Sequence, residues 1–281
     1  MLVDDHDEYN PDVISYSLNP GNFDNVMQPK FVNSFSISHV NIRSLTKNIG
    51  ELSLLYEHSI ASKFDVIALS EVWTVHNVDT LALNDYVLEI NCREADARGG
   101  GVGAYLRNTL KYAKLDYSIL NSDSLWLETT ESDRIFIGII YRKPSTDIGQ
   151  FQNNLLDVLE DLNVGRSKIM LIGDFNIDLL GQNCNIIDGY LSTIESTGIQ
   201  QIITMPTRVT DRSSSLIDHV YTNVNSSVIH SGVIETDVSD HFPIFVLFYY
   251  HPIVKRDIAL RKVARTNKYV NVDAFHEDLA S

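Results

Sequence analysis

Cysteine is nearly missing from this chain. Two occur in 281 residues, Cys92 and Cys184, and no Cys-x-x-Cys step is present. That excludes a zinc knuckle or redox pair of that spacing and reads as two reduced thiols of an intracellular protein. Long apolar runs are missing too. The longest, Phe242 to Tyr250, contains Pro243 and falls far short of the roughly 18 residues that a membrane-crossing helix needs, so no membrane partner is expected. Met1 to Glu8 is acidic, with neither a basic region nor an apolar segment after it, and does not read as a secretory signal. Positive charge is scarce: 22 Lys and Arg stand against 37 Asp and Glu, a formal net charge of −15. This argues against a module held to nucleic acid by a basic face, and affinity for DNA should be modest and salt-sensitive. An enzyme that gathers acids at a metal site tolerates such a balance better.

What is present is an ordinary apolar fraction, 44%, in a length that allows one large domain or two small ones. The charge is uneven. Residues 1–30 hold six acids against Lys30, contain Pro11, Pro20 and Pro29, and lack periodicity, so they read as a disordered acidic tail. Residues 253–270 hold six bases against Asp257, and 251–281 reads as a basic linker. Between them, strands are expected at Phe31–Val40, Asp65–Ser70, Tyr86–Ile90, Val102–Leu106, Leu125–Thr129, Ile135–Tyr141, Ser167–Gly173, Ser215–Tyr221, Val228–Ile234 and Ile244–Tyr249. Leu125–Thr129 and Ile135–Tyr141 form a hairpin. Helical spacing marks Ile49, Leu52, Leu55 and Tyr56, then Phe151 to Leu162, then Asn185 to Thr197 with Gly198 as its stop. Hairpins mixed with strand–helix–strand units predict an α/β protein with mixed sheets. The run Gly99-Gly100-Gly101 precedes a strand, not a helix. It therefore fits a close backbone approach better than a dinucleotide fingerprint.

Three apolar runs meet an acid at their boundary. Ile169 to Ile172 stops at Gly173-Asp174-Phe175-Asn176, Asp65 to Ser70 stops at Glu71, and Phe242 to Phe248 begins after Ser239-Asp240-His241. Acids and amides that converge in this way suit a hard divalent cation and a phosphate ester. Glu71 is a natural magnesium ligand. Asn41 ends a strand and could either ligate the metal or orient Glu71. Asp174 could activate or orient water, and Asn176 could donate to phosphate, although an Asx turn explains one of the two. Adjacent Asp-His residues on a strand point opposite ways, so Asp218 is expected to pair with His241 rather than with His219. Such a His stays protonated longer and can donate to a phosphoryl oxygen. Tyr141 could hydrogen-bond phosphate. Arg142 and Lys143 could hold a DNA backbone, or be solvated charges at a strand end.

The ordered set Asn41, Glu71, Tyr141, Asp174, Asn176, Asp218 and Ser239-Asp240-His241 resembles the endonuclease/exonuclease/phosphatase superfamily. That superfamily includes exonuclease III, apurinic endonucleases and deoxyribonuclease I. The likeness extends over residues 31–250 and is greatest to the endonuclease domains of non-LTR retrotransposons. It rests on Asn41-Ile42-Arg43-Ser44-Leu45, Leu69-Ser70-Glu71-Val72-Trp73, Tyr141-Arg142-Lys143-Pro144, Gly173-Asp174-Phe175-Asn176 and Ser215-Leu216-Ile217-Asp218-His219-Val220. The resemblance implies a four-layer sandwich of two mixed β-sheets flanked by helices, like that of deoxyribonuclease I. It implies Mg²⁺, with Mn²⁺ able to substitute, held by Glu71 with Asn41, and Asp240 supporting the metal or His241. It implies DNA as substrate, a nick with a 3′-hydroxyl that primes reverse transcription, a nuclear location, and a linker at 251–281 leading toward a reverse transcriptase. One departure stands out: apurinic endonucleases carry an Asp two residues after the first Asn, and this chain has Arg43.

Overall fold

The computed structural model describes residues 15–27, 34–60, 62–92, 99–130, 134–181, 184–210, 212–224 and 227–249. Seven strands form one mixed sheet. They are β1 (Ser15–Leu18), β2 (Ser34–Asn41), β3 (Val66–Ser70), β4 (Tyr86–Asn91), β5 (Val102–Arg107), β14 (Val228–Ile234) and β15 (Ile244–Tyr249), in the order β1-β14-β15-β2-β3-β5-β4. Six form the second: β6 (Tyr112–Leu115), β7 (Ser122–Thr129), β8 (Ile135–Arg142), β9 (Lys168–Asp174), β10 (Gln200–Gln201) and β13 (Asp218–Thr222), in the order β10-β13-β9-β8-β7-β6. A separate hairpin joins β11 (Arg208–Thr210) to β12 (Ser213–Ser215).

The alternation of side chains along each strand decides what lies on each face. In β3, Val66 and Ala68 pack in the core between the two sheets, with Ile37, Val102, Ile137, Ile139, Met170, Ile172 and Val220. The intervening Ile67 and Leu69 face outward, against Phe23 and Met27 of α1 (Pro20–Met27) and Leu45 and Leu52 of α2 (Leu45–Ser53). In β9, Met170 and Ile172 face inward. Ile169 and Leu171 face Phe151 and Leu155 of α3 (Ile148–Asp161) and Tyr190 and Ile194 of α4 (Cys184–Glu195). The result is helix, sheet, sheet, helix: the four-layer sandwich that the resemblance implied. Such strands read as unbroken apolar runs because both of their faces are buried.

Two expectations are corrected. Part of the stretch expected as a disordered tail is ordered: β1 pairs in parallel with β14, and α1 buries Phe23 and Met27 completely. These elements are only 4 and 8 residues long, too short for periodicity to stand out. The expected strand Ser215–Tyr221 is broken. Leu216 and Ile217 leave the hairpin, and the ladder restarts at Asp218, because the Oγ1 of Thr207 accepts the N–H groups of Ile217 (3.2 Å) and Asp218 (3.0 Å). The hairpin of β7 and β8 is found as expected. The expected basic linker, residues 251–281, lies outside the described residues, as do residues 1–14 and 28–33 of the first segments.

Candidate active site

Strand register builds the site. β2 runs parallel to β3 with Asn41 beside Ser70, so the chain turns into Glu71 next to Asn41. β8 runs parallel to β9 with Tyr141 beside Asp174, and β13 runs antiparallel to β9 with Asp218 opposite Asp174. Ile244 of β15 lies opposite His39, which brings the preceding His241 to the same end of the sandwich. Asn41, Tyr141, Asp174 and Asp218 all continue the inward-facing sets of their strands. Four separate chain segments thus aim polar side chains into one cleft between the sheets.

The hydrogen bonds tie these residues together. The Nδ2 of Asn41 donates to Glu71 Oε1 (3.1 Å) and to Asp174 Oδ2 (2.9 Å), while its Oδ1 accepts from the Arg43 N–H (3.2 Å). Asn41 therefore offers the carboxylates its amide nitrogen and orients both. Glu71 also accepts from the Trp73 Nε1 (3.3 Å) and the Tyr141 hydroxyl (3.4 Å). The Nδ1 of His241 lies 2.8 Å from Asp218 Oδ2, which also accepts from Thr207 Oγ1 (2.7 Å). This is the crossed pairing expected from the sequence. His219 turns to the opposite face, stacked on Phe175, with Nε2 on the Leu216 carbonyl and Nδ1 on the Tyr221 hydroxyl.

Backbone strain marks the cleft. Arg43, Ser44, Glu71, Trp73 and Asn176 have positive φ without being glycine, a conformation that costs free energy and persists where the surroundings enforce it. The glycine run supplies part of that enforcement. Gly100 and Gly101, at φ near +80°, give their carbonyls to the N–H groups of Trp73 (2.8 Å) and Val72 (3.2 Å), the close approach anticipated for this run.

The charges are strongly coupled. Burial, and then the negative charge of Asp218, raise Asp174 to about 7. Burial alone would lower His241, but the charge and hydrogen bond of Asp218, helped by Asp174 and Asp240, raise it to about 9. Burial would raise Asp218, but the charge and hydrogen bond of His241, with His39 and Thr207, hold it below the usual carboxylate range. Burial pushes His39 down to about 4, so it is neutral, with Nε2 on Ser70 Oγ (3.1 Å) and Nδ1 3.7 Å from Asp218 Oδ1. Asp174, Asp218 and His241 offer ligand atoms within 4.8 Å of one another, close enough to hold a metal ion.

Arg142 and Asp240 stand elsewhere than the sequence suggested, and Asn176 is held by a turn. Arg142 follows Tyr141 and so points to the other face. It is buried and directs its guanidinium to the carbonyls of Phe175 (2.7 Å), Asn176 (2.8 Å), Lys143 (3.1 Å) and Thr146. It fixes the loop after β9 and is not on a substrate-facing surface. Asn176 lies in an Asx turn on Asp174, one of the alternatives left open: its φ is +49°, its N–H donates to Asp174 Oδ1 (3.0 Å), and its Nδ2 donates to the Arg142 carbonyl (2.8 Å). Asp240 binds two arginines, Arg43 and Arg208, rather than joining the cluster of carboxylates. Lys143 is half-buried at the strand end. Sequence reasoning passed over His39 and Thr207. His39 carried a signal, since it lies two residues before Asn41 and therefore on the same face. Thr207 carried none.

A two-sheet sandwich with this polar cleft at one end of its inner faces is the architecture of a known class of hydrolases. A family model described as "Endonuclease/Exonuclease/phosphatase family" matches residues 38–241, and the chain belongs to that family. Members hydrolyse phosphodiester or phosphoester bonds and use divalent metals. Among solved structures, the AP endonuclease LMAP from Leishmania major is similar with a TM-score of 0.65 at 14% identity, over 85% of this chain and 93% of that one. The endonuclease domain of TRAS1, a telomere-specific non-LTR retrotransposon, gives 0.59 at 14% identity, over 76% and 98%. The 3′ phosphatase NExo from Neisseria, bound to a product DNA hairpin, gives 0.59 at 14% identity, over 77% and 100%. These likenesses concern the fold. No curated protein sequence matches the chain.

Proposed function

We propose that this chain is a magnesium-dependent endonuclease that hydrolyses a DNA phosphodiester and leaves a nick with a 3′-hydroxyl, as target-primed reverse transcription by a retrotransposon requires. The observation that carries the reading is the convergence of Asn41, Glu71, Tyr141, Asp174, Asp218 and His241 in one cleft. Among the structural neighbours, one is a retrotransposon endonuclease domain and another holds product DNA, which supports DNA as the substrate. A reverse transcriptase would be the natural companion of this activity.

The residues fit a hard cation. Two carboxylates, Glu71 and Asp174, share one amide NH₂ group, and like charges this close favour an ion between them. Glu71 would hold Mg²⁺, with Asp174 beside it and Mn²⁺ able to substitute. The bound ion supplies Lewis-acid polarisation of the phosphoryl group and of the leaving oxygen. The other roles belong to the chain. Asp174, held by the Asn41 amide beside Glu71, would orient water and take its proton. His241 is cationic up to about 9. Its Nδ1 is held by Asp218, so its Nε2–H is the donor left for a phosphoryl oxygen as negative charge grows there. The Tyr141 hydroxyl donates to Glu71, and its one hydrogen would turn to a phosphoryl oxygen once Glu71 holds the metal.

The test is nicking of supercoiled plasmid with Mg²⁺, with EDTA, and by Glu71→Gln. Nicking is expected with Mg²⁺ alone, and the variant should lose about 10²-fold or more. Nicking that persists in EDTA rejects the proposal. The net charge of −15 favours a second reading, a phosphatase or phosphodiesterase for lipid or nucleotide phosphoesters. Turnover of small phosphoesters without any action on DNA selects it.

A further inference from the structure

Asp240 differs from the other acids near the cleft in what surrounds it. Arg208 meets Oδ2 through both Nε (2.9 Å) and Nη2 (2.8 Å). Arg43 places Nη1 3.0 Å from Oδ1, as an ion pair without the alignment of a hydrogen bond. Both arginines are attached to the site through the backbone. The Arg43 N–H donates to Asn41 Oδ1, and Arg208 forms an antiparallel bridge with His241. Their side chains remain 47% and 37% exposed, against 25% for the carboxylate between them. Two cations around one anion leave a net positive charge at the rim of the cleft, in a chain whose formal charge is −15.

Stability alone is a weak reason for this arrangement, because exposed ion pairs contribute about 0–1 kcal/mol. Recognition is a better one. A guanidinium has five N–H donors in a rigid fork suited to phosphate oxygens. Asp240 engages one nitrogen of Arg43 and two of Arg208, so much of each fork is left for a ligand. A carboxylate engaged by two cations is also a poor metal ligand.

We propose that Arg43 and Arg208, aligned by Asp240, hold a DNA backbone phosphate that flanks the reacting one, with Asp240 as their counter-ion and not a metal ligand. This rests on DNA as the substrate, so binding is measured separately from turnover. A fluorescent duplex of about 20 base pairs is titrated by anisotropy in EDTA, over KCl concentrations from about 50 to 200 mM. Each neutralised phosphate contributes about −0.9 to the slope of log K against log salt. Because the two arginines share one phosphate, the double variant Arg43→Gln/Arg208→Gln should flatten that slope by about 0.9, and each single variant by less. Arg166→Gln, at the opposite end of β9 from Asp174, should leave it unchanged. Asp240→Asn keeps both cations, so its slope should be at least as steep as the parent's. A double variant with the parental slope, a loss equalled by Arg166→Gln, a flattened slope in Asp240→Asn, or no duplex binding by the parent each overturns the proposal. Plasmid nicking is followed on the same preparations. Lost nicking with intact, arginine-dependent binding counts against the nuclease reading and leaves the clamp standing.

Discussion

Asp218 is the residue on which the charge balance of the cleft turns. One of its oxygens accepts from both His241 and Thr207, the other faces His39, and its backbone pairs with Asp174. It acts on both candidate reacting groups at once, raising His241 and adding to the rise of Asp174. Asp218→Asn should therefore lower both. His241 should titrate back toward 6.5, since burial would then push it down against weaker opposition. Activity should fall about 10²–10⁴-fold, the usual worth of a positioned proton donor or base. The C–H signals of the imidazole ring in an NMR pH titration read the first effect directly. A His241 that still titrates near 9 in the variant would remove Asp218 from the account.

At the scale of the element, β9 shows how a strand delivers a reactive residue. Gly173 has φ +155°, and a Cβ there would lie 1.8 Å from the Ile140 carbonyl oxygen of β8. No side chain fits where β8 and β9 run this close, one residue before Asp174. Gly101 differs: its φ is +80°, yet the nearest atoms to an added Cβ are 3.6 Å away. Gly173→Ala should cost about 3 kcal/mol or more and lose folded protein on urea titration, because backbone must move. Gly101→Ala should cost about 1–2 kcal/mol, the strain of the left-handed region, and should reveal itself mainly in activity through the Glu71–Trp73 turn. Equal destabilisation by the two substitutions contradicts this division. The same strands explain what was legible in the sequence. Val66–Ser70 and Lys168–Asp174 are buried on both faces, so their apolar runs and the acids that end them are visible without coordinates. β1 and α1 were illegible because each rests on a few residues whose burial depends on distant partners. Asn176 was placed with an Asx turn as one of its readings, which the structure shows, but its positive φ leaves no mark in the apolar pattern. Arg142 was misjudged for a related reason: alternation carries it away from Tyr141, and its carbonyl partners lie on a different loop.

Over the whole molecule, the buried titratable groups set a dependence of stability on pH in the absence of metal. His39 and His219, pressed by burial to about 4 from 6.5, are neutral inside the fold. Their contribution is complete above 6.5 and is lost as pH falls through 4. Asp174, raised from 3.8 to about 7, has the opposite sign: its contribution is complete below 3.8 and is lost as pH rises through 7. Between pH 4 and 6.5 the unfolded chain thus binds protons at two histidines while the folded chain binds one at Asp174. Stability on their account should rise by about 1.4 kcal/mol per pH unit. His241, raised from 6.5 to about 9, is fully stabilising below 6.5 and loses its contribution as pH rises through 9, giving a fall of similar steepness. Urea unfolding in EDTA should therefore show a maximum near pH 6.5, and His241→Gln should flatten the alkaline side. Mg²⁺ prefers ionised carboxylates and should raise the unfolding midpoint more at pH 8 than at pH 5.5. A magnesium effect of equal size at both values would mean that the ion binds away from Asp174, and the cleft would lose its claim to the metal.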